Sequence, residues 1–258
     1  MAEKILLTIA GYDPSGGAGI LLDLKVFASF GFKGMAVLTS LTAQNTRLVQ
    51  EVRCLPPDFI WSQYQTLAQE FSFSGIKIGM ICSSANLEII QKILRANANI
   101  PKVIDPIFKA STGTWLLQKE ALSAYLEKME GLVTLLTPNL EEASLLTGIK
   151  IKSQGDLKEA AQKIFLDSNI PCLITGGHRP GPKTDLLFDG QKFHFFQQPE
   201  IKKKVHGSGC FLSSAILVYL AQGEKLTGAC SQAAKLTHRA FKKAVRIGQG
   251  QHYINFPL

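Results

Sequence analysis

The segment 204–210, with the sequence KVHGSGC, holds residues that could bind an anion and move a proton. Gly207 and Gly209 flank Ser208, and this spacing allows a sharp turn that exposes backbone N–H groups. The apolar run that follows predicts a helix beginning at Gly209 or Cys210. A helix N-terminus binds anions, and its field lowers the pKa of a cysteine placed there. The alternative is a glycine turn before a buried helix, with Cys210 as a core residue.

Further polar and glycine-rich residues follow short apolar runs that predict strands. They are Asp13 with Gly16 and Gly17, Gln44 with Asn45, Asp105, Asn139 with Glu142, and Gly176 with Gly177 and His178. Ligands of open α/β sheets bind beyond the carboxyl ends of the strands, so we expect these residues in one crevice. Carboxylates there could hold Mg²⁺ through water while backbone amides bind phosphate. These are the parts that phosphoryl transfer needs.

Strand and helix patterns alternate along the chain. Apolar runs predict strands at residues 4–10, 34–40, 76–80, 102–105, 132–136 and 171–175. Helical spacing predicts helices between them, including 18–30, 209–221 and 226–245. The Asp189-Gly190 pair between the runs 185–188 and 192–196 predicts a hairpin. We therefore expect an α/β fold with a mostly parallel central sheet, helices on both faces and a late antiparallel hairpin.

Length and composition favour one domain spanning residues 1–258. No apolar run reaches the roughly 18 residues that a membrane span needs, and the N-terminus lacks a signal-peptide pattern. The five cysteines, at positions 54, 82, 172, 210 and 230, are scattered and form no C-x-x-C pair. This distribution predicts reduced thiols, no disulfide, no zinc site and a cytoplasmic protein.

The formal net charge of +8 would suit a polyanionic partner, but the basic residues are mostly dispersed. The one tight run, Lys202-Lys203-Lys204, comes just before the glycine-cysteine segment. A phosphate-bearing small ligand explains that position as well as a nucleic acid does, and a solvated loop would also explain it. We predict no nucleic-acid partner and no membrane partner.

Taken in order, these segments resemble one enzyme family. The matching segments are residues 13–20, 23–25, 43–46, 77–80, 105–106, 137–143, 176–178, 185–187 and 206–210. The series is similar to the hydroxymethylpyrimidine/phosphomethylpyrimidine kinases of bacterial thiamine biosynthesis, which belong to the ribokinase-like superfamily. The resemblance implies a ribokinase-like fold and ATP-dependent phosphorylation of 4-amino-5-hydroxymethyl-2-methylpyrimidine, and then of its monophosphate, on the way to thiamine diphosphate.

The resemblance also implies how the substrate is bound. Gln44 would read the aminopyrimidine through paired hydrogen bonds, because an amide both donates and accepts. Gly11, Asp23, Met80 and Ile107 would line the same pocket, although Asp23 could instead be structural. A small-molecule pyrimidine is therefore the expected substrate.

The catalytic and cofactor residues follow by position as well. Gly207, Ser208, Gly209 and Cys210 match the family's anion hole, and Cys210 would accept the proton of the substrate hydroxyl. The implied cofactors are ATP and Mg²⁺. The nucleotide residues would be Asn139, Thr175, Gly177 and Lys204, and the metal residues Glu142 and Asp105. We also expect a homo-oligomer, as a dimer.

The chain departs from the family pattern in two places. Thr175 stands where relatives often carry a lysine, so a lysine of the run 202–204 would supply that charge, or nucleotide affinity would be lower. The segment 107–109 is Ile-Phe-Lys where relatives often have Val-Met-Val. Phe108 could therefore reshape the substrate pocket.

Three other functions compete with this hypothesis. The nearest is a pyridoxine/pyridoxal kinase of the same cysteine-bearing group, against which Gln44 favours the pyrimidine. A non-catalytic ligand-binding relative would need neither Gly-Ser-Gly-Cys nor Asn-x-x-Glu. A thiol enzyme with Cys210 as covalent nucleophile lacks the C-x₅-R pattern and an evident acyl site.

Overall fold

The central sheet of the computed structural model, which describes residues 4–110, 112–176 and 183–255, confirms the predicted α/β architecture. Its strands are β1 (Ile5–Tyr12), β2 (Lys33–Gln44), β3 (Val49–Cys54), β4 (Gly75–Ile78), β5 (Lys102–Ile104), β6 (Leu135–Leu136), β7 (Cys172–Ile174), β8 (Lys183–Phe188) and β9 (Phe193–Gln198). They lie in the order β3-β2-β1-β4-β5-β6-β7-β8-β9. Six neighbouring strands run parallel, namely β2, β1, β4, β5, β6 and β7. Strand β3 pairs antiparallel with β2, β8 with β7, and β9 with β8. The late hairpin is therefore also confirmed.

Helices follow most of the parallel strands. They are α1 (Gly19–Ser29), α2 (Pro57–Ala68), α3 (Ser84–Ala96), α4 (Tyr125–Met129), α5 (Leu140–Thr147), α6 (Gln154–Ser168), α7 (Ser208–Ala221) and α8 (Leu226–Lys242). A second, three-stranded sheet contains β10 (Val205–His206), β11 (Val245–Arg246) and β12 (His252–Tyr253). None of the helices in the described ranges combines the length and hydrophobicity that a bilayer crossing requires.

Alternating strand residues build a hydrophobic core on each face of the sheet. Leu7 of β1 and Ile104 of β5 pack with residues of α2, α3, α4 and α6. Their neighbours Leu6 and Val103 pack with residues of α1, α7 and α8 on the other side. Successive side chains of a strand point to opposite faces, so strands that are apolar throughout must be covered twice. This double cover leaves the carboxyl ends of the strands free to carry polar loops.

Strand β2 extends beyond the strand predicted at residues 34–40 and forms a hairpin with β3. Strand β2 continues to Gln44, which pairs with Val49 across an antiparallel ladder. Most side chains of β3 are exposed, so its sequence lacks the apolar run that marks a buried strand. The hairpin places Gln44 on a projecting edge of the sheet rather than in a free loop.

A disulfide joins Cys54 at the end of β3 to Cys82 after β4, with Cα atoms 5.7 Å apart. The prediction that all five thiols are reduced is therefore wrong for this pair, while the other three cysteines are free and buried. The position of Ser40 shows why Cys54 and Cys82 are close together. It lies opposite Cys54 in the β2–β3 ladder, and its hydroxyl donates to Met80 Sδ at 3.3 Å. The edge hairpin and the loop after β4 thus meet in space although they are distant in sequence.

A buried ion pair connects the sheet to the helices of the second face. Lys77 of β4 and Asp23 of α1 are both fully buried, and Lys77 Nζ lies 3.0 Å from Asp23 Oδ2. The hydroxyls of Thr8 on β1 and Ser214 on α7 donate to the same carboxylate at 2.7 and 2.8 Å. Burial opposes the charge of Lys77, but the Asp23 carboxylate holds the pKa of the lysine above its ordinary value. Four elements therefore share one polar centre.

Removing the disulfide should destabilise the fold. The bridge spans a sequence separation of 28 residues, and cross-linking a loop of this size in the unfolded chain stabilises the fold by about 3.5 kcal/mol. We expect the double variant Cys54→Ser/Cys82→Ser to lose about that much free energy of unfolding. Urea unfolding without reductant measures the loss, and the reduced parent is the control, since it should match the variant. Equal stability of parent and variant under both conditions would contradict the bridge.

The ion pair predicts a specific pattern of stability changes. Lys77→Met leaves the Asp23 carboxylate buried without its cation, which should lower the free energy of unfolding by about 3–5 kcal/mol. The double variant Asp23→Asn/Lys77→Met removes both charges and should recover part of that loss. Urea unfolding compares these proteins with Lys163→Met, which breaks a half-exposed pair with Asp167 and should change little. A Lys77→Met variant as stable as Lys163→Met would refute the assignment.

Candidate active site

A cavity of about 880 Å³ lies beyond the carboxyl ends of the parallel strands. Its walls come from the loops after β1, β5 and β6, from the β2–β3 hairpin, from the segment before β10 and from the start of α7. Parallel strands end at one edge of the sheet, so loops that are far apart in sequence converge there. The predicted crevice is therefore present.

Most of the predicted site residues line this cavity. They are Gly11, Gln44, Met80, Asp105, Ile107, Asn139, Glu142, Thr175, Lys204, Gly207, Ser208, Gly209 and Cys210. Asp23 does not line it, because its fully buried carboxylate is occupied by Lys77, Thr8 and Ser214. This corrects the prediction that Asp23 borders the substrate. Gly177 and His178 lie outside the described residues.

Gln44, Gly11 and Met80 lie together at the end of the cavity formed by β1 and β2. Gly11 is in close contact there, since a Cβ atom would come within 2.8 Å of Ser40 Oγ and 3.0 Å of Met80 Sδ. The Thr39 hydroxyl donates to the Met80 carbonyl at 2.6 Å and fixes this backbone. These contacts fix the backbone at this end of the cavity, which Gln44 also lines.

The ring of Phe108 packs in the hydrophobic core. Its side chain is fully buried and packs edge-on against Tyr125, with ring centroids 5.0 Å apart. Phe108 is nevertheless among the residues that line the cavity, so the expectation that it shapes the substrate pocket stays a prediction.

The glycine segment forms the predicted helix N-terminus. Helix α7 begins at Ser208, and its N-cap Gly207 has φ +75° and provides no capping side chain. A Cβ atom at Gly207 would lie 1.9 Å from the Gly17 carbonyl oxygen, so only glycine fits there. The N–H groups of the first turn therefore have no side-chain cap, and they border the cavity as an anion site would require.

An Asp13–His206 contact holds the two glycine loops together. His206 Nε2 lies 2.8 Å from Asp13 Oδ2, and Asp13 also accepts from Ser15 and from the Ala18 backbone. Burial works against the charged form of Asp13, but hydrogen bonds from His206 and Ser15 hold its pKa below the ordinary value. A His206 that shapes a loop fits this geometry. Asp13 and His206 both belong to segments that the sequence analysis singled out, but their contact could not be predicted from the sequence.

Cys210 lies in the first turn of α7, borders the cavity and is 4% exposed. Burial raises the pKa of its thiol to about 12, while the nearby Lys77 works in the opposite direction and Asp105 and Asp23 add to the rise. The prediction of a lowered pKa is therefore wrong for the protein without ligands. The desolvation of a buried thiolate outweighs its attraction to the lysine.

Asp105 and Glu142 are two buried carboxyl groups that face the same cavity. Burial raises the pKa of Asp105 to about 6, against the lowering effect of Lys77. Burial and the neighbouring Asp105 raise the pKa of Glu142 well above its ordinary value. Two carboxylates that repel each other beside a polar cavity have the donor chemistry that a divalent cation neutralises. The residues present therefore fit Mg²⁺.

Asn139 and Thr175 form the other side of this region. Asn139 caps α5 by accepting from the Glu141 and Glu142 backbones, and Glu142 reciprocates at the Asn139 N–H at 2.8 Å. Thr175 pairs with Asn139 in an isolated parallel bridge. In the described ranges, no group of three or more His, Cys, Asp or Glu side chains could hold a metal ion. A cation at Asp105 and Glu142 would complete its shell with water or phosphate oxygens.

Lys77 is the main residue that sequence reasoning left without a role. It lies in the strand Gly75–Ile78, where a lysine among apolar residues is the available signal. Its charge acts on Asp23, Asp105 and Cys210, so it is a buried cation close to the start of α7.

Comparison with known proteins identifies the family. The family model described as phosphomethylpyrimidine kinase matches residues 13–255. A hydroxymethylpyrimidine/phosphomethylpyrimidine kinase of Aquifex aeolicus (strain VF5) is 37% identical over 254 residues, covering 98% of this chain and 100% of that protein.

Solved structures share the fold as well. Pyridoxal kinase from Staphylococcus aureus in complex with AMP-PCP has a TM-score of 0.90 at 30% identity, covering 99% of this chain and 94% of that one. Phosphomethylpyrimidine kinase from Clostridium difficile 630 has a TM-score of 0.80 at 34% identity, covering 92% and 99%. With nearly its whole length matched by the family model, the chain belongs to the phosphomethylpyrimidine kinase family.

Proposed function

We propose that residues 1–258 form one kinase domain that phosphorylates 4-amino-5-hydroxymethyl-2-methylpyrimidine with ATP and then phosphorylates the monophosphate, as a step in thiamine diphosphate biosynthesis. The observation that carries this proposal is the convergence of three features in one cavity. They are an uncapped helix N-terminus at Gly207, two buried carboxyl groups at Asp105 and Glu142, and the Gln44 amide. Family membership agrees with it.

Gln44 is the proposed reader of the aminopyrimidine. It lines the same cavity as Gly11, Met80 and Ile107, the residues proposed to surround the ring. An amide can donate to a ring nitrogen and accept from the adjacent amino group, so it recognises both at once. Asp23 is not part of this proposal.

Asp105 and Glu142 would hold Mg²⁺ beside the phosphates, with Asn139, Thr175 and Lys204 toward the nucleotide. The bound ion would neutralise phosphate charge, which is the main requirement of phosphoryl transfer. The first turn of α7, at Ser208, Gly209 and Cys210, would bind the transferred phosphoryl group through backbone N–H groups.

Cys210 is the proposed acceptor of the substrate's hydroxyl proton. In the free protein its thiol is protonated, because burial raises its pKa to about 12. Lys77 lowers the pKa of this thiol and Asp105 raises it, both from the same buried region. Cys210 can therefore serve as a base only when bound ligands lower its pKa. The hydroxyl proton leaves late in a loose transition state, which suits such a base.

We also propose that the protein acts in the cytoplasm as a homodimer. The dimer is supported by the edge strand β3, beside which Leu41 and Leu48 are 42% and 46% exposed. The cytoplasmic location is supported by Cys172, Cys210 and Cys230, which are free thiols as is usual in that compartment. Sedimentation equilibrium tests the dimer, and cell fractionation tests the location.

An acceptor comparison tests the proposed function. With ATP and Mg²⁺, we expect turnover of hydroxymethylpyrimidine and its monophosphate, and a kcat/KM for pyridoxal at least about tenfold lower because it lacks the amino group. In Gln44→Ala, loss of paired hydrogen bonds should cost on the order of 1–3 kcal/mol in kcat/KM for the pyrimidine. Better turnover of pyridoxal than of the pyrimidine would favour the pyridoxal kinase function instead.

Substitutions at Cys210 test the proton acceptor. Cys210→Ser should lower kcat by roughly 10²–10⁴, because a serine hydroxyl is a poorer base. Cys210→Asp should retain part of the activity, since a carboxylate can accept the proton. Cys230→Ser is the matched control, because this thiol is also buried but lies on α8 outside the cavity. Melting temperatures are recorded alongside, and normal turnover by folded Cys210→Ser would make Cys210 structural.

A further inference from the structure

Lys109 projects from the segment after β5 toward the cavity, and nothing in the proposed function uses it. Its ammonium pairs with the carboxylate of Glu141 and lies 4.6 Å from the ring centroid of Trp115. The Lys109 side chain is 27% exposed, whereas that of Glu141 is 62% exposed. The cation is thus half-buried at the cavity wall, while its partner is largely in water.

The Trp115 ring and local backbone pairing set the position of Lys109. Lys109 and Trp115 form an antiparallel β-bridge, and the Ala110 N–H donates to the Thr114 carbonyl at 2.8 Å between them. A ring face attracts a cation and orients the long lysine side chain. Lys119 lies over the same ring at 5.2 Å but does not line the cavity.

The position of Glu141 places this cation next to the proposed phosphate region. Glu141 is in the first turn of α5, between the cap Asn139 and the carboxyl group of Glu142. Thr175, which carries no charge, is bridged to Asn139. The other lysines of the described cavity are Lys202, Lys203 and Lys204, and the Lys203 ammonium donates to the carbonyls of Lys242 and Ala244. Lys109 therefore supplies positive charge on the α5 side of the cavity.

We propose that Lys109 is a phosphate-binding residue that exchanges Glu141 for a phosphate group when the cavity fills. An ion pair with a mostly exposed carboxylate is weak because water competes for both groups. A phosphate has more negative charge and several acceptor oxygens, so it competes well for the same ammonium. The phosphate could belong to the nucleotide or to a monophosphate acceptor. This inference deepens the proposed function and rests on it.

Steady-state kinetics of Lys109→Met separates the two sources of phosphate. If Lys109 binds the acceptor's phosphate, KM for the pyrimidine monophosphate should rise by roughly 5- to 50-fold while KM for the unphosphorylated pyrimidine stays unchanged. If it binds the nucleotide, KM for ATP should rise by a similar factor with both acceptors. Either result supports the proposal.

Two further variants make the test specific. Lys119→Met removes the other cation over Trp115 and is the matched control, for which we expect parental KM values. Glu141→Gln keeps the shape of the partner but removes its charge, so Lys109 is released and the affected KM should fall. If Lys109 had only a structural role, KM would not rise in Lys109→Met and fall in Glu141→Gln. Lys109→Met values equal to those of Lys119→Met overturn the proposal.

A binding measurement keeps this inference distinct from the proposed function. If the parent protein phosphorylates neither pyrimidine, the proposed function fails. Lys109 is then judged by calorimetric titration of parent, Lys109→Met and Lys119→Met with AMP-PCP and Mg²⁺. Weaker binding by Lys109→Met alone would support a phosphate contact, and equal binding by all three proteins would overturn it.

Discussion

The buried pair between Lys77 and Asp23 is the interaction on which the geometry of the site depends. It joins strand β4 to helix α1, and the hydroxyls of Thr8 and Ser214 bring β1 and α7 to the same carboxylate. Charges in a protein interior are tolerated only when they are paired and hydrogen-bonded, so this arrangement leaves these elements little freedom to slide. Helix α7 carries the glycine turn at its start, and the pair therefore fixes where that turn meets the sheet.

Charge in the cavity is unbalanced without ligands. Asp105 and Glu142 are buried carboxyl groups whose pKa values are raised by burial, and Cys210 keeps its proton for the same reason. The buried ammonium of Lys77 compensates part of this negative charge. Lys109, paired with Glu141, adds a second positive charge at the cavity wall. A site built this way is poised for a cation and an anion to enter together, as the phosphate and metal of a kinase reaction do.

The β2–β3 hairpin carries Gln44 and is attached at its base to the rest of the sheet by two contacts. The disulfide from Cys54 to Cys82 and the Ser40 contact with Met80 link it to the segment after β4, where Met80 lines the cavity. Gln44 lies at its far end, where the ladder shifts register between Ala43 and Gln44. Because the base of the hairpin is cross-linked and its end is only a short ladder, Gln44 is restrained without being buried.

Local sequence determined the fold class, most strands and helices, and the candidates at the strand ends. The apolar run of β1 predicts a strand, and the glycines around Cys210 predict a turn. Both predictions succeed because hydrophobic periodicity and turn formation depend on residues close together in the sequence. Tertiary structure alone decided the Cys54–Cys82 bridge, the withdrawal of Asp23 from the cavity and the high pKa of Cys210. Each of these depends on contacts between elements far apart in sequence or on the depth of burial. The spacing of neighbouring residues in the sequence determines neither the contacts nor the burial.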